Sequence, residues 1–326
     1  MGLTAAFAGK VLVTGADGFI GRALCTRLAA AGADYVAAVR VVAPDGSPPD
    51  AQVAVGDFAA ADWRPVLQGV GAIVHLAGRA HVSSRRAADA TTPFIVANVH
   101  VTRRLAGAAA QAGVRRIVFA SSVKVYGETS QPGRPFRAGD AAAPQDAYAR
   151  SKAEAENALA EISREQGIEA IVLRLPLTYG PGVKGNFFTL LEAVASARRL
   201  PLAGIGNRRS LLYVGNAVSA IETALVGPAL PGEALPVADT EVVSIAELAT
   251  RLARALRVQP RLFHVPATFL RGTAALLGRG SEVRRLLDSL EVDASRFREL
   301  TGWSPPTSLD EGLAATAAWW RLRHPL

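Results

Sequence analysis

The first half of the chain alternates short apolar runs with longer helical patterns. The short runs are rich in β-branched residues and too short for helices, which favours buried strands. They cover residues 11–13, 35–39, 53–55, 72–74, 116–119 and 170–173. Helical patterns lie between several of them, at 19–31, 92–112 and 148–166. Because strand and helix alternate, we expect a doubly wound parallel sheet with helices on both faces.

The pattern changes after Pro176. A loop with Gly and Pro at 179–182 is followed by a helical pattern at 187–199, a turn at 203–207 and a strand near 211–214. From about residue 240 the chain is mostly helical. The patterns there cover 244–256, 266–277, 281–290 and 308–322.

This change predicts an α/β fold with two domains. Residues 1–175, with a returning segment near 210–240, would form the sheet domain. Residues 176–326 would form a smaller, mainly α-helical domain. A chain of 326 residues is long enough for this division.

Composition excludes several classes of protein. Cys25 is the single cysteine, so neither an intramolecular disulfide nor a cysteine-rich metal site is possible, and we expect no metal. No run of eighteen apolar residues and no signal-peptide pattern occurs, so we expect a cytoplasmic protein without an integral membrane segment. The net charge of +8 comes mainly from scattered arginines, which indicates a composition bias rather than nucleic-acid binding, and a basic surface would also suit an anionic substrate.

A glycine motif follows the first predicted strand directly. Gly15, Gly18 and Gly21 have the spacing Gly-x-x-Gly-x-x-Gly. Gly15 permits a tight turn, Gly18 lets backbone N–H groups approach a pyrophosphate, and Gly21 lets the helix pack close to the strand. The helix start at Phe19 and Ile20 would then face the phosphates with its positive end. The motif predicts a dinucleotide-binding Rossmann sheet, with an ordinary strand–helix turn as the alternative.

The ends of the next strands bear on which dinucleotide binds. The second strand ends at Arg40 with no acid in place, which favours NADP over NAD, although an exposed arginine is the alternative. Asp57, followed by Phe58, is placed to meet the adenine amino group, or else to cap a helix. His75 closes the fourth strand and is expected to be packed rather than catalytic. The three residues where the dinucleotide should cross are Leu76, Ala77 and Gly78.

Tyr148 and Lys152 lie one helical turn apart and are candidates for catalysis. A nearby ammonium favours the phenolate, so we expect Lys152 to lower the pKa of Tyr148 and to hold the nicotinamide ribose. Ser122 follows the fifth strand, where its hydroxyl could bind the reacting oxygen of a substrate. The alternatives are a surface pair for Tyr148 and Lys152 and a turn cap for Ser122.

Together these motifs resemble the extended short-chain dehydrogenases/reductases of the nucleotide-sugar epimerase/dehydratase family. The resemblance covers essentially the whole chain. The matching segments are the glycine motif, His-Leu-Ala-Gly at 75–78, Asn98, Ser-Ser-x-x-Val-Tyr-Gly at 121–127, Tyr-x-x-x-Lys at 148–152, 174–182, 207–214 and 302–305.

The resemblance implies roles for further residues. Asn98 would help to bind the cofactor, and Asn186 would hold the pyrophosphate of the substrate. Arg209 would bind the same diphosphate, and Arg284 or Arg285 would supply a second arginine, with solvated helix arginines as the alternative. Thr178 departs from the family's usual Asn.

The residues after Ser122 bear on the reaction. Dehydratases of the family carry an Asp-Glu pair there, whereas this chain has Val123 and Lys124, so dehydration is not expected. The chain resembles a bacterial polysaccharide-cluster subgroup that includes UDP-4-keto-6-deoxy-N-acetylhexosamine 4-reductases and proteins labelled 4-epimerases. The leading hypothesis is an NAD(P)H-dependent 4-ketoreductase that forms UDP-N-acetylquinovosamine, and the alternative is a UDP-hexose or UDP-N-acetylhexosamine 4-epimerase with retained NAD.

Lys124 has a specific place in this hypothesis. Its ammonium would lie beside the oxygen at carbon 4 of the sugar and polarise a carbonyl there, or it would point to the surface.

A non-catalytic dinucleotide sensor is a third functional class. Such a protein is expected to lack Tyr148 or Lys152, and this chain has both. The resemblance also implies a homodimer formed through helices 92–112 and 148–166, although their Ala-rich faces could pack equally well within a monomer.

Overall fold

The computed structural model describes residues 9–42, 51–80, 91–230, 232–266, 268–270, 272, 284 and 286–324. Arg285 and large parts of the predicted helices 266–277 and 281–290 lie outside the described residues. No helix within the described ranges is long and apolar enough to cross a membrane.

The strands and helices of the described residues follow one another in the order that the sequence predicts for the first half. The strands are β1 (Lys10–Thr14), β2 (Tyr35–Val39), β3 (Gln52–Ala54), β4 (Val70–His75), β5 (Arg116–Ser122), β6 (Glu169–Leu175), β7 (Leu177–Tyr179), β8 (Arg209–Tyr213), β9 (Ala234–Pro236) and β10 (Val242–Val243). The helices are α1 (Phe19–Ala30), α2 (Thr91–Phe94), α3 (Val101–Gln111), α4 (Ala147–Gln166), α5 (Gly185–Ala195), α6 (Val214–Val226), α7 (Ile245–Leu256), α8 (Ser295–Thr301) and α9 (Leu309–Arg323). A π-helical turn, Ile95–His100, joins α2 to α3.

Seven parallel strands form the main sheet in the order β3-β2-β1-β4-β5-β6-β9. The doubly wound parallel sheet is therefore confirmed. The sequence predicted its first six strands and did not assign β9, which pairs with β6 at the edge and has only three residues. The order in which the chain adds strands reverses direction between β1 and β4, so the carboxyl ends of these two parallel strands border the crevice where such sheets bind ligands.

Side chains of the central strands alternate between two cores, one on each face of the sheet. Val11 and Val13 of β1 pack with α1 and α6, whereas Leu12 packs with α3 and α4. Every residue of β4 is buried. Such two-sided burial explains why these strands appear in the sequence as continuous apolar runs.

The second half contains a small sheet that the sequence predicted only in part. β8 pairs in parallel with β7 and antiparallel with β10, whereas the pattern near 211–214 predicted β8 alone. β7 and β10 have three and two residues, too few to show a periodicity. Helices α7 and α9 match their predicted ranges, and each begins with a capping box, at Ser244 and Ser308.

Helices α5, α6 and α8 differ from the sequence prediction, and α6 was not predicted. α5 ends at Ala195 rather than at 199. The chain leaves α5 through Ala197, which has a φ of +48°. The seven-residue α8 was not predicted, and it buries Phe297 against Trp303.

A third core joins the small sheet to α5, α7 and α9. Phe19, the first residue of α1, packs against this core. The start of α1 therefore touches both the main sheet and the second half of the chain.

Gly15 and Gly32 form a matched pair for testing the turn after β1. Their φ values are +66° and +63°, but a Cβ on Gly15 would lie 2.7 Å from the Ala77 nitrogen, whereas one on Gly32 would meet nothing within 4 Å. We expect Gly32→Ala to lower the free energy of unfolding by about 1 kcal/mol, the cost of the left-handed backbone alone. We expect Gly15→Ala to lower it by about 2–4 kcal/mol, because the backbone at Ala77 must also move. Urea unfolding measures both, and equal losses would contradict the close approach.

Candidate active site and dinucleotide cradle

The turn between β1 and α1 has the geometry of a phosphate cradle. Gly18 N–H donates to Gly15 O at 2.9 Å, which closes the turn. A Cβ on Gly21 would collide with Gly15 O, so only glycine allows α1 to approach the turn this closely. No side chain caps the N-terminus of α1, which begins at Phe19 after Gly18. The backbone N–H groups there fit a pyrophosphate, because the positive end of the helix dipole faces it.

The side chains of Phe19 and Ile20 point into cores rather than into the cradle. Only their backbone N–H groups are therefore placed to bind a ligand in the cradle. A Cβ on Gly182 would lie 3.8 Å from the Phe19 ring, so the loop after β7 runs beside the start of α1.

The structure places the predicted adenine-side residues on the surface or in the core. Arg40 follows β2 and is exposed. Asp57 is exposed, and its Oδ1 accepts the Ala59 N–H at 3.0 Å in a turn at 58–60, so it does not cap a helix, the alternative that the sequence left open. Phe58 is buried with its ring centroid 5.4 Å from that of Trp63, so only its backbone could touch a cofactor.

A buried chain of hydrogen bonds joins the end of β1 to the end of β4. Ala77 N–H donates to Thr14 Oγ1 at 3.2 Å, Thr14 Oγ1 lies 2.7 Å from His75 Nδ1, and His75 Nε2 lies 2.9 Å from Thr102 Oγ1. The Thr102 hydroxyl donates to Asn98 O, so its oxygen is left to accept from His75 Nε2. This places a ring proton on Nε2, and in the neutral ring Nδ1 accepts from the Thr14 hydroxyl.

His75 is therefore a packed strand-end residue. Burial lowers its pKa to about 3, and the Lys152 charge acts in the same direction. Its ring stacks on Phe119 with centroids 5.3 Å apart. It fixes Leu76, Ala77 and Gly78 against the glycine turn, and it performs no proton transfer in this neutral state.

Asn98 lies in the π-helical turn and is almost fully buried. Its Oδ1 accepts Arg79 N–H at 2.8 Å, and its Nδ2 donates to Arg79 O at 3.1 Å and to Ser151 Oγ at 2.8 Å. Ser151 Oγ in turn donates to Tyr148 O at 2.7 Å. Asn98 thus fastens the loop after β4 to the first turn of α4.

Tyr148, Lys152 and Ser122 come together at the carboxyl end of β5. The Ser122 hydroxyl interacts with the Tyr148 phenol. Lys152 Nζ donates to Ala120 O at 2.6 Å and lies 3.9 Å from the Phe119 ring centroid. The same Nζ would be 4.0 Å from a Cβ on Gly78, so the loop after β4 borders the ammonium. A dinucleotide that crosses at Gly78 would meet Lys152.

The pKa values differ from the expectation for this pair. Burial raises the pKa of Tyr148 to about 12, whereas Ser122 lowers it and the Asp146 carboxylate raises it further. Burial lowers the pKa of Lys152 to about 7, and Glu156 opposes this shift. The expected lowering of the Tyr148 pKa by Lys152 is therefore absent in the chain alone, because desolvation and the Asp146 charge outweigh the Ser122 hydrogen bond.

Lys124 lies near Tyr148, but carboxylates hold its ammonium. Its Nζ donates to Asp146 Oδ2 at 2.7 Å and to Glu128 Oε1 at 3.3 Å. The other carboxylate oxygen of Asp146 accepts Ala149 N–H at 2.7 Å and caps α4. The side chain of Lys124 is 27% exposed, so it does not simply point to the surface. Its contact with a substrate oxygen stays a prediction.

The predicted diphosphate residues lie in the second half of the chain. Arg209 on β8 is partly buried, and its Nη1 donates to Asp288 O at 3.0 Å. Burial lowers the pKa of its guanidinium. Asn186 is exposed on the first turn of α5, and Arg284 is exposed. Arg285 lies outside the described residues.

Sequence reasoning assigned no role to the buried ion pair between Glu156 and Arg174. Arg174 Nη2 lies 2.6 Å from Glu156 Oε2, and each side chain is 9% exposed. Ser121 Oγ also donates to Glu156. The four-residue spacing of Tyr148, Lys152 and Glu156 was the signal available in the sequence, because it places all three on one helix face.

Residues 11–236 match the model of the NAD dependent epimerase/dehydratase family. The chain belongs to this family. It is 36% identical over 310 residues to a UDP-glucose 4-epimerase of Vibrio cholerae, covering 94% of each chain. It is 30% identical over 332 residues to a dTDP-glucose 4,6-dehydratase of Streptomyces griseus, covering 95% of this chain and 93% of that one.

Solved structures of the family have the same fold. The structure of MoeE5 in complex with UDP-glucose and NAD matches with a TM-score of 0.76 and 28% identity, over 97% of this chain and 99% of that one. A UDP-glucuronic acid 4-epimerase from Bacillus cereus in complex with NAD matches with a TM-score of 0.78 and 21% identity, over 97% of both chains. The chain thus belongs to a family of enzymes and shares its fold with members that act on nucleotide sugars.

Substituting Asp146 and Ser244 tests whether the side chain that caps α4 also supports the candidate active site. Each side chain caps a helix, but only Asp146 binds Lys124 and lies beside Tyr148. We expect Asp146→Ala and Ser244→Ala each to lower the free energy of unfolding by about 1 kcal/mol in denaturant titrations. We expect only Asp146→Ala to change catalytic activity, because Lys124 loses a partner and the first turn of α4 loosens. Equal activities of the two variants would contradict this role.

Proposed function

We propose that this protein is an NAD-dependent 4-epimerase of a UDP-linked hexose or N-acetylhexosamine. The observation that carries the proposal is the meeting of Ser122, Tyr148 and Lys152 beside Gly78, in a fold whose glycine turn fits a dinucleotide. The 4-epimerase relative, which matches over nearly the whole chain, supports this reaction over the 4-ketoreductase that the sequence put first.

The residues of this chain fit the cofactor at several points. The uncapped start of α1 would hold the pyrophosphate, and Lys152 would hold the nicotinamide ribose. Leu76, Ala77 and Gly78 would line its path, with Asn98 fixing their loop. Bound NAD supplies an acceptor and donor of hydride.

Tyr148 would act on the hydroxyl at carbon 4 of the sugar. Its phenolate would take the hydroxyl proton as the carbon is oxidised and return it as the carbon is reduced on the opposite face. Ser122 would hydrogen-bond the same oxygen. Because burial raises the pKa of Tyr148 to about 12, the phenolate needs positive charge beside it, which the Lys152 ammonium can supply.

The neighbours of Ser122 argue against dehydration. Val123 is buried and apolar, and Lys124 forms ion pairs with Asp146 and Glu128. Neither residue offers the carboxyl group that eliminating water requires. The site would therefore perform hydride and proton transfer at one carbon only.

The substrate diphosphate would lie near β8 and the start of α5. Arg209 is fixed through Asp288 O, and a forked guanidinium suits two phosphate oxygens. Asn186, Lys124 and one arginine of the pair 284–285 are the further candidates for substrate contacts.

A 4-ketoreductase acting on a UDP-4-keto-6-deoxy amino sugar is the second candidate. Arg40 favours it, because an exposed arginine at the end of β2 suits the 2′-phosphate of NADPH, the usual exchangeable reductant. If this candidate holds, Arg40→Asp should lower the preference for NADPH over NADH in initial-rate assays. An unchanged preference would remove the support that Arg40 gives.

The two candidates differ in how they use the cofactor. We expect the purified protein to carry NAD and to interconvert UDP-glucose with UDP-galactose, or the N-acetyl pair, without added cofactor. Chromatography of the sugar nucleotides and of the acid-released cofactor measures both. Stoichiometric loss of NADPH with a 4-keto substrate, without epimerisation, would favour the reductase.

Tyr148→Phe tests the catalytic assignment. We expect kcat to fall about 10²–10⁴-fold, because the acid/base group is lost. Tyr35→Phe is the matched control, because Tyr35 lies at the amino end of β2, whereas the candidate site lies at the carboxyl ends of the parallel strands. It should keep kcat within about twofold of the wild type. Full activity of Tyr148→Phe would sink both enzyme candidates.

The domain boundaries, the homodimer and the cytoplasmic location stay predictions. α3 and α4, the helices expected at the dimer interface, share an exposed ion pair between Arg103 and Glu161. Light scattering during size-exclusion chromatography would measure the oligomeric state.

A further inference from the structure

α4 presents three functional groups to three consecutive residues of β5. Tyr148, Lys152 and Glu156 follow each other at intervals of four residues, so they lie on one face of the helix. On β5, Ser122 interacts with Tyr148, and Ala120 O accepts from Lys152. Between these two, the Ser121 hydroxyl donates to Glu156. The active-site pair thus continues into a third turn of the helix.

Glu156 is held by more than Ser121. Its Oε1 accepts Arg174 Nε at 3.1 Å, and its Oε2 accepts Arg174 Nη2 at 2.6 Å. Arg174 lies on β6 directly opposite Ser121 of β5, and its guanidinium lies 4.2 Å from the Tyr126 ring centroid. A buried carboxylate with three accepted hydrogen bonds has a fixed position and a strong field, because little water screens it.

The charged and titratable groups around Lys152 come from three elements. Tyr148 and Glu156 flank it on α4, His75 faces it from β4, and Arg174 on β6 pairs with Glu156. His75 is neutral, and the Tyr148 phenol is protonated in the chain alone. The carboxylate of Glu156 is therefore the group in this set that favours the charged form of Lys152, against the cost of its burial.

We propose that Glu156, fixed by Arg174 and Ser121, is a positioning residue that keeps the buried Lys152 ammonium charged and seated on Ala120. This inference rests on the proposed function, in which the charged Lys152 stabilises the Tyr148 phenolate. The ion pair would then serve the reaction through Lys152, without touching substrate or cofactor.

The direction of the pH effect follows from the charge of Glu156. Burial lowers the pKa of Lys152 to about 7, and the carboxylate limits this fall. Removing the carboxylate lowers the pKa further, so Lys152 loses its proton at a lower pH. Activity that needs the ammonium should then decline at a lower pH on the alkaline side of its optimum.

Two variants and a control isolate this effect. Glu156→Gln removes the carboxylate but leaves the Arg174 charge buried without a partner, which can prevent folding. The double variant Glu156→Gln/Arg174→Met removes both charges and keeps a similar volume. Glu154→Gln is the control, because it makes the same charge change on the exposed side of α4.

Carbon-13 NMR of the lysines gives a readout independent of activity. The chain has only four lysines, at positions 10, 124, 152 and 184, so labelling at Cε gives few signals. Lys152→Arg assigns the signal of interest. We expect the titration midpoint of Lys152 in folded Glu156→Gln to lie about one pH unit below that of the wild type, a tenfold change in proton affinity. In the double variant the midpoint should fall by less, because removing the Arg174 charge partly offsets the loss of the carboxylate. Glu154→Gln should leave the midpoint unchanged.

Kinetics complete the test. We expect the alkaline limb of kcat against pH to move in the same direction as the Lys152 midpoint, with KM for the UDP-sugar within about twofold. Loss of kcat with an unmoved midpoint and limb would mean that the ion pair is only structural, and the proposal would be wrong. A moved midpoint in a protein that turns over no UDP-sugar would overturn the proposed function but leave the Glu156–Lys152 link standing.

Discussion

The site is organised around a lysine ammonium buried at the carboxyl edge of a parallel sheet. Burying an ammonium is costly unless other groups replace its water, and Lys152 has a hydrogen bond to Ala120 O and a cation–π contact with the Phe119 ring. These contacts require β5 and α4 to lie in one register. The same register sets Ser122 against Tyr148 and Ser121 against Glu156. One buried lysine therefore constrains the positions of the candidate catalytic groups.

The charged side chains near Lys152 form two separate sets of ion pairs. Glu156 and Arg174 lie below it in the interior, whereas Lys124, Asp146 and Glu128 lie at the partly exposed start of α4. Asp146 raises the pKa of Tyr148 and also caps α4. Lys124 offsets part of the Asp146 charge. Both systems act on the protonation of the Tyr–Lys pair from opposite ends of the same helix face.

The family fold leaves the reaction open, and a few side chains distinguish the candidates. In the proposed function, the glycine turn, the His75 hydrogen-bond chain and the Tyr148–Lys152 pair would serve any hydride transfer to or from a dinucleotide. Positions 123 and 124 hold Val and Lys rather than carboxylates, which favours the proposed epimerase or reductase over a dehydratase. Whether the cofactor stays bound separates an epimerase from a reductase. That property depends on how tightly the cofactor would be held by the glycine turn and by Lys152.

The sequence by itself determined the sheet, the glycine cradle and the Tyr148–Lys152 pair, because these depend on local periodicity and on motifs within a few residues. It did not determine the short strands β7, β9 and β10, which exist only because longer strands offer them partners. The bonds from Arg174 to Glu156 and from His75 to Thr14 were equally hidden, since their partners lie 18 and 61 residues apart. Tertiary structure alone decided the pKa values, because burial and the neighbours brought together by folding set the cost of each charge.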